Sequence, residues 1–204
     1  MAHRLLSWAG IGDPQRIENA SIELHGESMR AIGGACAEAF TTNWELEVAD
    51  GWQTRALHVT VRGFGWSRSL DLTRAPTGDW CAAVARHGEI DLPEPGLDDP
   101  GTVAGAIDCD LALCPVTNTM PIRRLRLLDR DVADTHLVMA WVEIPSLRVL
   151  RSDQVYASAA PEGKRRVKYT SFSRNVSTHL TVDADGLVID YPELARRLRP
   201  EPAH

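Results

Sequence analysis

The chain has few of the features by which a sequence announces its chemistry. No run approaches the roughly 20 apolar residues of a membrane span. Met1 to Gln15 contains only Leu5-Leu6-Ser7-Trp8-Ala9 as an apolar stretch, too short for the apolar region of a secretory signal. The expected location is therefore the cytoplasm. The four cysteines, Cys36, Cys81, Cys109 and Cys114, have no framework spacing, and Cys109 and Cys114 do not form a CxxC pair. They are expected to be buried free thiols. The seven histidines are scattered, with no HxH or HExxH to hold a metal, and no GxSxG elbow marks a nucleophile. Neither a metal nor a cofactor is expected. Positive charge is short as well: 28 acidic against 22 basic residues give a formal charge of −6. A nucleic-acid partner needs a basic face, so none is expected. The one basic cluster, Lys164 to Lys168, reads as a solvated turn and strand edge. Phe and Tyr are scarce, at three each, while Trp contributes six.

What is present is a globular composition, 44% hydrophobic and 25% charged, at a length suited to a single domain over residues 1–204. Period-two alternation dominates. Trp44, Leu46 and Val48 alternate with Glu45 and Glu47, the pair Asp50-Gly51 turns the chain, and Leu57, Val59 and Val61 alternate with His58, Thr60 and Arg62. That is a hairpin in sequence form. Further strands are expected at Trp66 to Leu72, Trp80 to Ala85, Ala106 to Leu113, Pro121 to Leu128, Thr135 to Ile144, Leu147 to Tyr156, Arg166 to Ser173 and Ser177 to Asp183. Arg16 to Leu24 and Ser28 to Ile32 suit another hairpin, and Asp183 to Gly186 a turn into Leu187 to Tyr191. Residues 88–104 form an acidic, Pro/Gly-rich stretch, expected to be a mobile loop. Gly63 to Trp66 reads as a bulge or tight corner. Pro192 to Leu198 suits a short C-terminal helix, with Pro first and Arg late. The fold class is all-β, mainly antiparallel, as a barrel, roll or sandwich.

Polar residues concentrate between Ala106 and Leu125. On a strand, Asp108 and Asp110 share one face, about 7 Å apart from a rise near 3.4 Å per residue. Two carboxylates so placed suit acid/base chemistry or ion pairs to nearby arginines. If the strand from Pro121 puts Leu125 and Leu127 in the core, Arg123 points inward with them, and Arg124 and Arg126 point the other way. A buried Arg must find an acid or a polar ligand, and a guanidinium also suits a ligand head group. Arg55, beside the Trp52 turn, is a second candidate of this kind. Asn118, between two threonines, suits turn closure or ligand contact.

The segments Cys109-Asp110-Leu111 and Pro115-Val116-Thr117-Asn118-Thr119-Met120-Pro121-Ile122-Arg123-Arg124-Leu125 resemble the DVDLxxTPFTNTLPIRRL core of a family named "putative glycolipid-binding". Asp50-Gly51-Trp52-Gln53-Thr54-Arg55 is similar to its D-x-W-x-T-R, Gln154-Val155-Tyr156 to its Q-x-Y, and Asp183 to Pro192 to its C-terminal VD-x-DGLVxDYP. The segments occur in order along nearly the whole chain. Cys114 stands where the pattern has Thr, and the 89–101 stretch is longer than usual. The resemblance implies a spiral antiparallel β-roll and, by analogy of folds alone, a carrier of acylated glycolipids.

The expected function is then binding of a glycolipid or other amphipathic small molecule in the cavity of a curved sheet. Arg55, Asp108, Asp110, Asn118, Arg123 and Tyr156 are the candidate ligand contacts, and no residue is assigned a catalytic role. One alternative is an enzyme using the Asp108/Asp110 pair with an Arg, excluded if both acids are sealed and paired to arginine. The other is a structural or interaction domain without a ligand. The six tryptophans suit either a plug for the roll or the lining of a cavity.

Overall fold

In a computed structural model, residues 1–159 and 165–198 are described. Fourteen strands form one sheet. In chain order they are β1 (Ala2–Gly10), β2 (Ile17–His25), β3 (Ser28–Cys36), β4 (Thr41–Ala49), β5 (Gln53–Gly63), β6 (Trp66–Arg74), β7 (Trp80–His87), β8 (Asp108–Leu111), β9 (Thr135–Val142), β10 (Val149–Ser158), β11 (Arg166–Ser171), β12 (Val176–Val182), β13 (Val188–Tyr191) and β14 (Ala195–Arg197). The spatial order is β7-β6-β5-β4-β3-β2-β1-β14-β13-β12-β11-β10-β9-β8. Every pairing is antiparallel except β8 with β9. The chain thus runs outward through one half-sheet, returns through the loop after β7, and fills the other half from its far edge.

The first half follows its sequence alternation closely. Trp44, Leu46 and Val48 are buried, as are Leu57, Val59 and Val61, while their neighbours point outward. Turns fall where the residue chemistry puts them. Gly51 has φ +76° and Gly186 φ +81°, values that glycine adopts without strain. The Asp183 carboxylate accepts from the backbone N–H groups of Asp185 and Leu187, each at 3.0 Å, an Asx-type closure. The Gly63–Trp66 segment is the β5–β6 corner, with Phe64 fully exposed at its tip.

Several expectations are corrected. Residues Pro192 to Leu198 form no helix. They make a turn at Glu193 (φ +68°) and then β14, which bridges β1 and β13. So short a segment gains little from helical hydrogen bonds, and here the open edges of two strands supply partners. Pro121 to Leu128 is not a strand: a 3-10 turn (Pro115–Asn118) leads into a short helix, α1 (Thr119–Arg124). Pro121 is tolerated in α1 because first-turn N–H groups have no intrahelical acceptor. The strand expected over Ala106 to Leu113 narrows to β8. A strand at Ala2–Gly10 went unassigned, and it sits near the centre of the sheet. The basic cluster leads into β11, which lies between β10 and β12 and is no edge; Lys164 is outside the described residues. Cys36 and Cys81 are exposed, whereas Cys109 and Cys114 are buried, and burial pushes the Cys109 thiol up to about 12.

The interior of the roll is packed with side chains. Trp8, Trp44, Trp52 and Trp80 belong to one apolar cluster with Val103, Ala106, Leu111, Val116 and Met120. Their indole N–H groups are placed as carefully as their rings: Trp8 donates to Val188 O (2.8 Å), Trp80 to Ala106 O (3.0 Å) and Trp44 to Glu18 Oε1 (2.8 Å). Four of the six tryptophans are therefore plug, in core positions that α-helices fill in other folds. The 88–104 stretch joins this packing. Gly96 N donates to Leu147 O and Gly96 O accepts from Val149 N, and the Arg68 guanidinium binds the carbonyls of Leu92 and Pro93.

Candidate functional site

Strand β8 puts Asp108 and Asp110 on one face, as the alternation requires, and the two acids lead to different neighbourhoods. Both Asp108 oxygens are held by Arg124, at 2.6 and 2.6 Å, and Arg124 also reaches Trp52 O at 3.0 Å. The helical turn of α1 delivers Arg124 to Asp108 in place of Arg123. Burial pushes the Asp108 carboxyl above the usual carboxylate range, opposed by Arg124 and then Arg74. The forked, two-bond geometry is the strong form of this pair and fits an ionised carboxylate. Arg123 instead lies over the Trp52 ring, 5.1 Å from its centroid. Arg55 is well exposed and reaches Glu47 at 3.5 Å.

Asp110 sits in a second, larger polar knot. Its oxygens accept from Thr117 Oγ1 (3.0 Å), Gln154 Nε2 (2.7 Å) and Arg174 Nη2 (3.2 Å). Arg174 also donates to the Tyr169 hydroxyl and lies over the Trp141 ring. Tyr156, Tyr169 and Tyr191, all three tyrosines of the chain, pack edge to face with centroids 5.1 and 5.6 Å apart. Asn118 Nδ2 donates to Tyr156 Oη at 3.2 Å and makes no helix-capping bond. Burial pushes the tyrosine hydroxyls up, Tyr191 to about 12. They remain protonated at neutral pH. Of the sequence candidates, Asp110, Asn118 and Tyr156 thus come together, while Asp108, Arg123 and Arg55 lie elsewhere. Gln154 and Arg174 complete the knot without having been singled out. Three buried atoms around it have no hydrogen-bond partner among the described residues: Asn118 Oδ1, Gln154 Oε1 and Trp141 Nε1. Both acids are nonetheless buried and paired to arginine, which leaves neither free as an acid or base.

A different site lies on the outward face of β1–β5, and nothing in the motifs pointed to it. It is an open hollow of about 1400 Å³. Two cross-strand rows build its floor. One runs Leu5, Ser21, Ile32, Glu45, His58 and on to Asp71 on β6. The next runs Ser7, Asn19, Gly34, Asn43, Thr60 and on to Ser69. Beneath the floor, on the inward row, Gly33 leaves room for the buried Trp44 ring: a Cβ there would overlap that ring and the Asn19 carbonyl oxygen. Leu5 is 73% and Ile32 57% exposed. Single exposed aliphatics need no explanation, but these two share a row within one hollow. Leu198 and Arg197 line its end beside β1. Arg197 is engaged with Asp183 at 2.7 Å and stands over Trp8.

Fold and sites together define an open all-β roll with a packed interior, a buried polar knot and an amphipathic hollow on its outer face. The chain belongs to the family described as "Putative glycolipid-binding", whose model matches residues 5–197. A solved structure of a DUF1089 family protein from Pseudomonas aeruginosa shares the fold. It is 24% identical, with a TM-score of 0.67, over 89% of this chain and 92% of that one. No curated protein matches the chain. Among the described residues no helix is long and apolar enough to cross a membrane, which says nothing of membrane β-barrels.

Proposed function

We propose that the protein binds an amphipathic molecule of the glycolipid class, and that it does so in the outward hollow of β1–β5 instead of inside the roll. The interior positions that would line an acyl cavity are taken by Trp8, Trp44, Trp80, Met120 and Val116. One observation carries the choice of the hollow. Exposed aliphatic side chains, Leu5 and Ile32, stand directly beside a row of hydroxyl and carboxamide groups, in a concavity large enough for a small ligand. Uncharged hydroxyls and amides suit sugar hydroxyls, and the aliphatic pair suits an alkyl chain.

Native mass spectrometry of the purified protein, followed by denaturing extraction, tests this. A recurring amphiphile is expected on the wild type and lost from Ile32→Asp, a surface change that leaves the core intact. Equal capture by both proteins, or capture by neither, overturns the proposal.

A second reading is favoured by the three unpartnered atoms of the Asp110 knot. Buried polar groups without partners usually mark an ordered water or small guest. Asp110, Asn118 and Tyr156 would then hold a small polar molecule. A tightly retained small molecule released only on denaturation supports it, and its absence together with water at those positions in a high-resolution crystal structure contradicts it.

A further inference from the structure

The hollow is not uniform along its length, and that asymmetry specifies the ligand further. Its aliphatic side chains, Leu5, Ile17, Ile32 and Leu198, are gathered near β14 and β1–β3, beside Ser7, Asn19 and Ser21. Near β4 and β5 it is polar: Asn43, Glu45, His58 and Thr60. The distance from Leu5 to His58 is about 19 Å, from four strand spacings of about 4.8 Å. A ligand with one apolar and one polar end therefore has one favoured orientation.

The polar end also has a definite charge character. Glu45 has no hydrogen bond or ion pair among the described residues, and neither does the Asn43 side chain. Next to Glu45 on the same row, His58 Nδ1 is bound to the Asp71 carboxylate, and His58 Nε2 is 3.4 Å from Thr60 Oγ1. The nearby arginines do not offset Glu45. Arg30 and Arg55 both turn to Glu47, and Arg62, on the following outward row, does not line the hollow. The acceptor-rich end thus presents an open carboxylate, an open carboxamide and a second acid behind a histidine.

Resting on the binding function proposed above, we infer that the head group is a hydroxylated, donor-rich group without negative charge, and that a protonated amine on it strengthens binding, as in an amino sugar carrying an alkyl chain. A phosphate, sulfate or uronic acid at this end would face Glu45 and Asp71 with like charge, whereas an ammonium would form a charge-assisted hydrogen bond with Glu45. The alkyl chain lies over Ile32 and Leu5.

Calorimetric titration of the full chain with three octyl glycosides below their micelle concentrations tests this: a glucosaminide, a glucoside and a glucuronide. The expected order is glucosaminide tightest, glucoside weaker by about tenfold (one charge-assisted contact, roughly 1.4 kcal/mol), and glucuronide weakest. Glu45→Gln keeps the shape, removes the charge, and is expected to erase most of the advantage of the glucosaminide over the glucoside. A glucuronide that binds as tightly as the glucosaminide, or a glucosaminide advantage that survives Glu45→Gln, overturns the inference while leaving the hollow as a binding site. If no glycoside binds, or if Ile32→Asp binds all three like the wild type, the underlying reading falls and the inference with it.

Discussion

The two halves of the sheet solve the problem of burying a face in different ways. In β1–β7 the buried face is mainly aliphatic and indole, with Glu18, Thr42, Thr54 and Arg68 as its polar members, and the outward face carries the hollow. In β8–β13 the buried face holds Asp108, Asp110, Gln154, Ser152, Tyr156 and Tyr169, knitted into hydrogen bonds, with Tyr191 packed edge to face against Tyr169. Most of the segments that make the family recognisable, those around Asp110, Asn118, Arg124, Gln154 and Asp183, lie in this second half; Asp50 to Arg55, at the β4–β5 turn, is the exception. The hollow lies in the first half, among residues with no motif at all. A recognisable pattern here marks the demand of a buried polar network for fixed partners. A ligand surface built from serines, asparagines and single aliphatics imposes no comparable spacing.

That contrast can be broken from either side. The largest effect is expected from Asp108→Ala, which leaves Arg124 largely buried without its acid. A loss of about 3–5 kcal/mol is expected, read as a lower urea midpoint at unchanged slope. A loss near the roughly 0–1 kcal/mol typical of surface pairs would show that the Asp108–Arg124 pair of the second half is ornamental. In the first half, Gly33→Ala drives a methyl into the Trp44 ring and the Asn19 carbonyl and is expected to cost about 1–3 kcal/mol by overpacking. Thermal unfolding that matches the wild type would mean that the interior around Trp44 is looser than its packing implies.

Legibility in the sequence divides along the same line. Strands β4 to β7 and their turns follow from alternation because one face is apolar and the other polar. β1 was missed because Leu5 and Leu6 put apolar side chains on both faces, one of them in the hollow. Pro121 to Leu128 alternates Leu and Arg like a strand, yet folds as α1, because burying that segment requires Arg124 to meet Asp108 in three dimensions. The terminal helix failed because Ala195–Arg197 finds two strand edges to join. Within the site, a buried carboxylate pair bound to arginine was foreseeable from residue types, although the partner is Arg124 and not Arg123. The hollow was not foreseeable, because its rows exist only across strands: Ile32, Glu45 and His58 are neighbours through register alone.

One acid in the first half breaks its apolar rule. Glu18 is buried beneath Trp44, with Arg16 at 3.1 Å. Burial raises its carboxyl above the ordinary 4.5, more than Trp44 and Arg16 lower it. The folded state therefore holds that proton more tightly than the unfolded chain does. Its contribution to stability is greatest below about pH 4.5 and declines as pH climbs through the raised value. Denaturation of Glu18→Gln across pH 4–8 is expected to lack that decline relative to the wild type. Identical pH profiles would contradict it. The smallest effect on stability is expected for Ile32→Asp, within about 0.5 kcal/mol because the side chain is exposed. Ligand capture is nevertheless expected to be lost, separating function from fold at one position.

The central claim is that ligand binds outside the roll, not within it. An amide and methyl NMR titration of the isotope-labelled protein with octyl glucoside tests it most directly. Saturable shifts are expected at Leu5, Asn19, Ile32, Asn43 and Thr60, with the signals of Asp110, Asn118, Tyr156 and Trp141 unmoved. Saturable shifts centred on Asp110 and Tyr156, with the β1–β5 face silent, would contradict it.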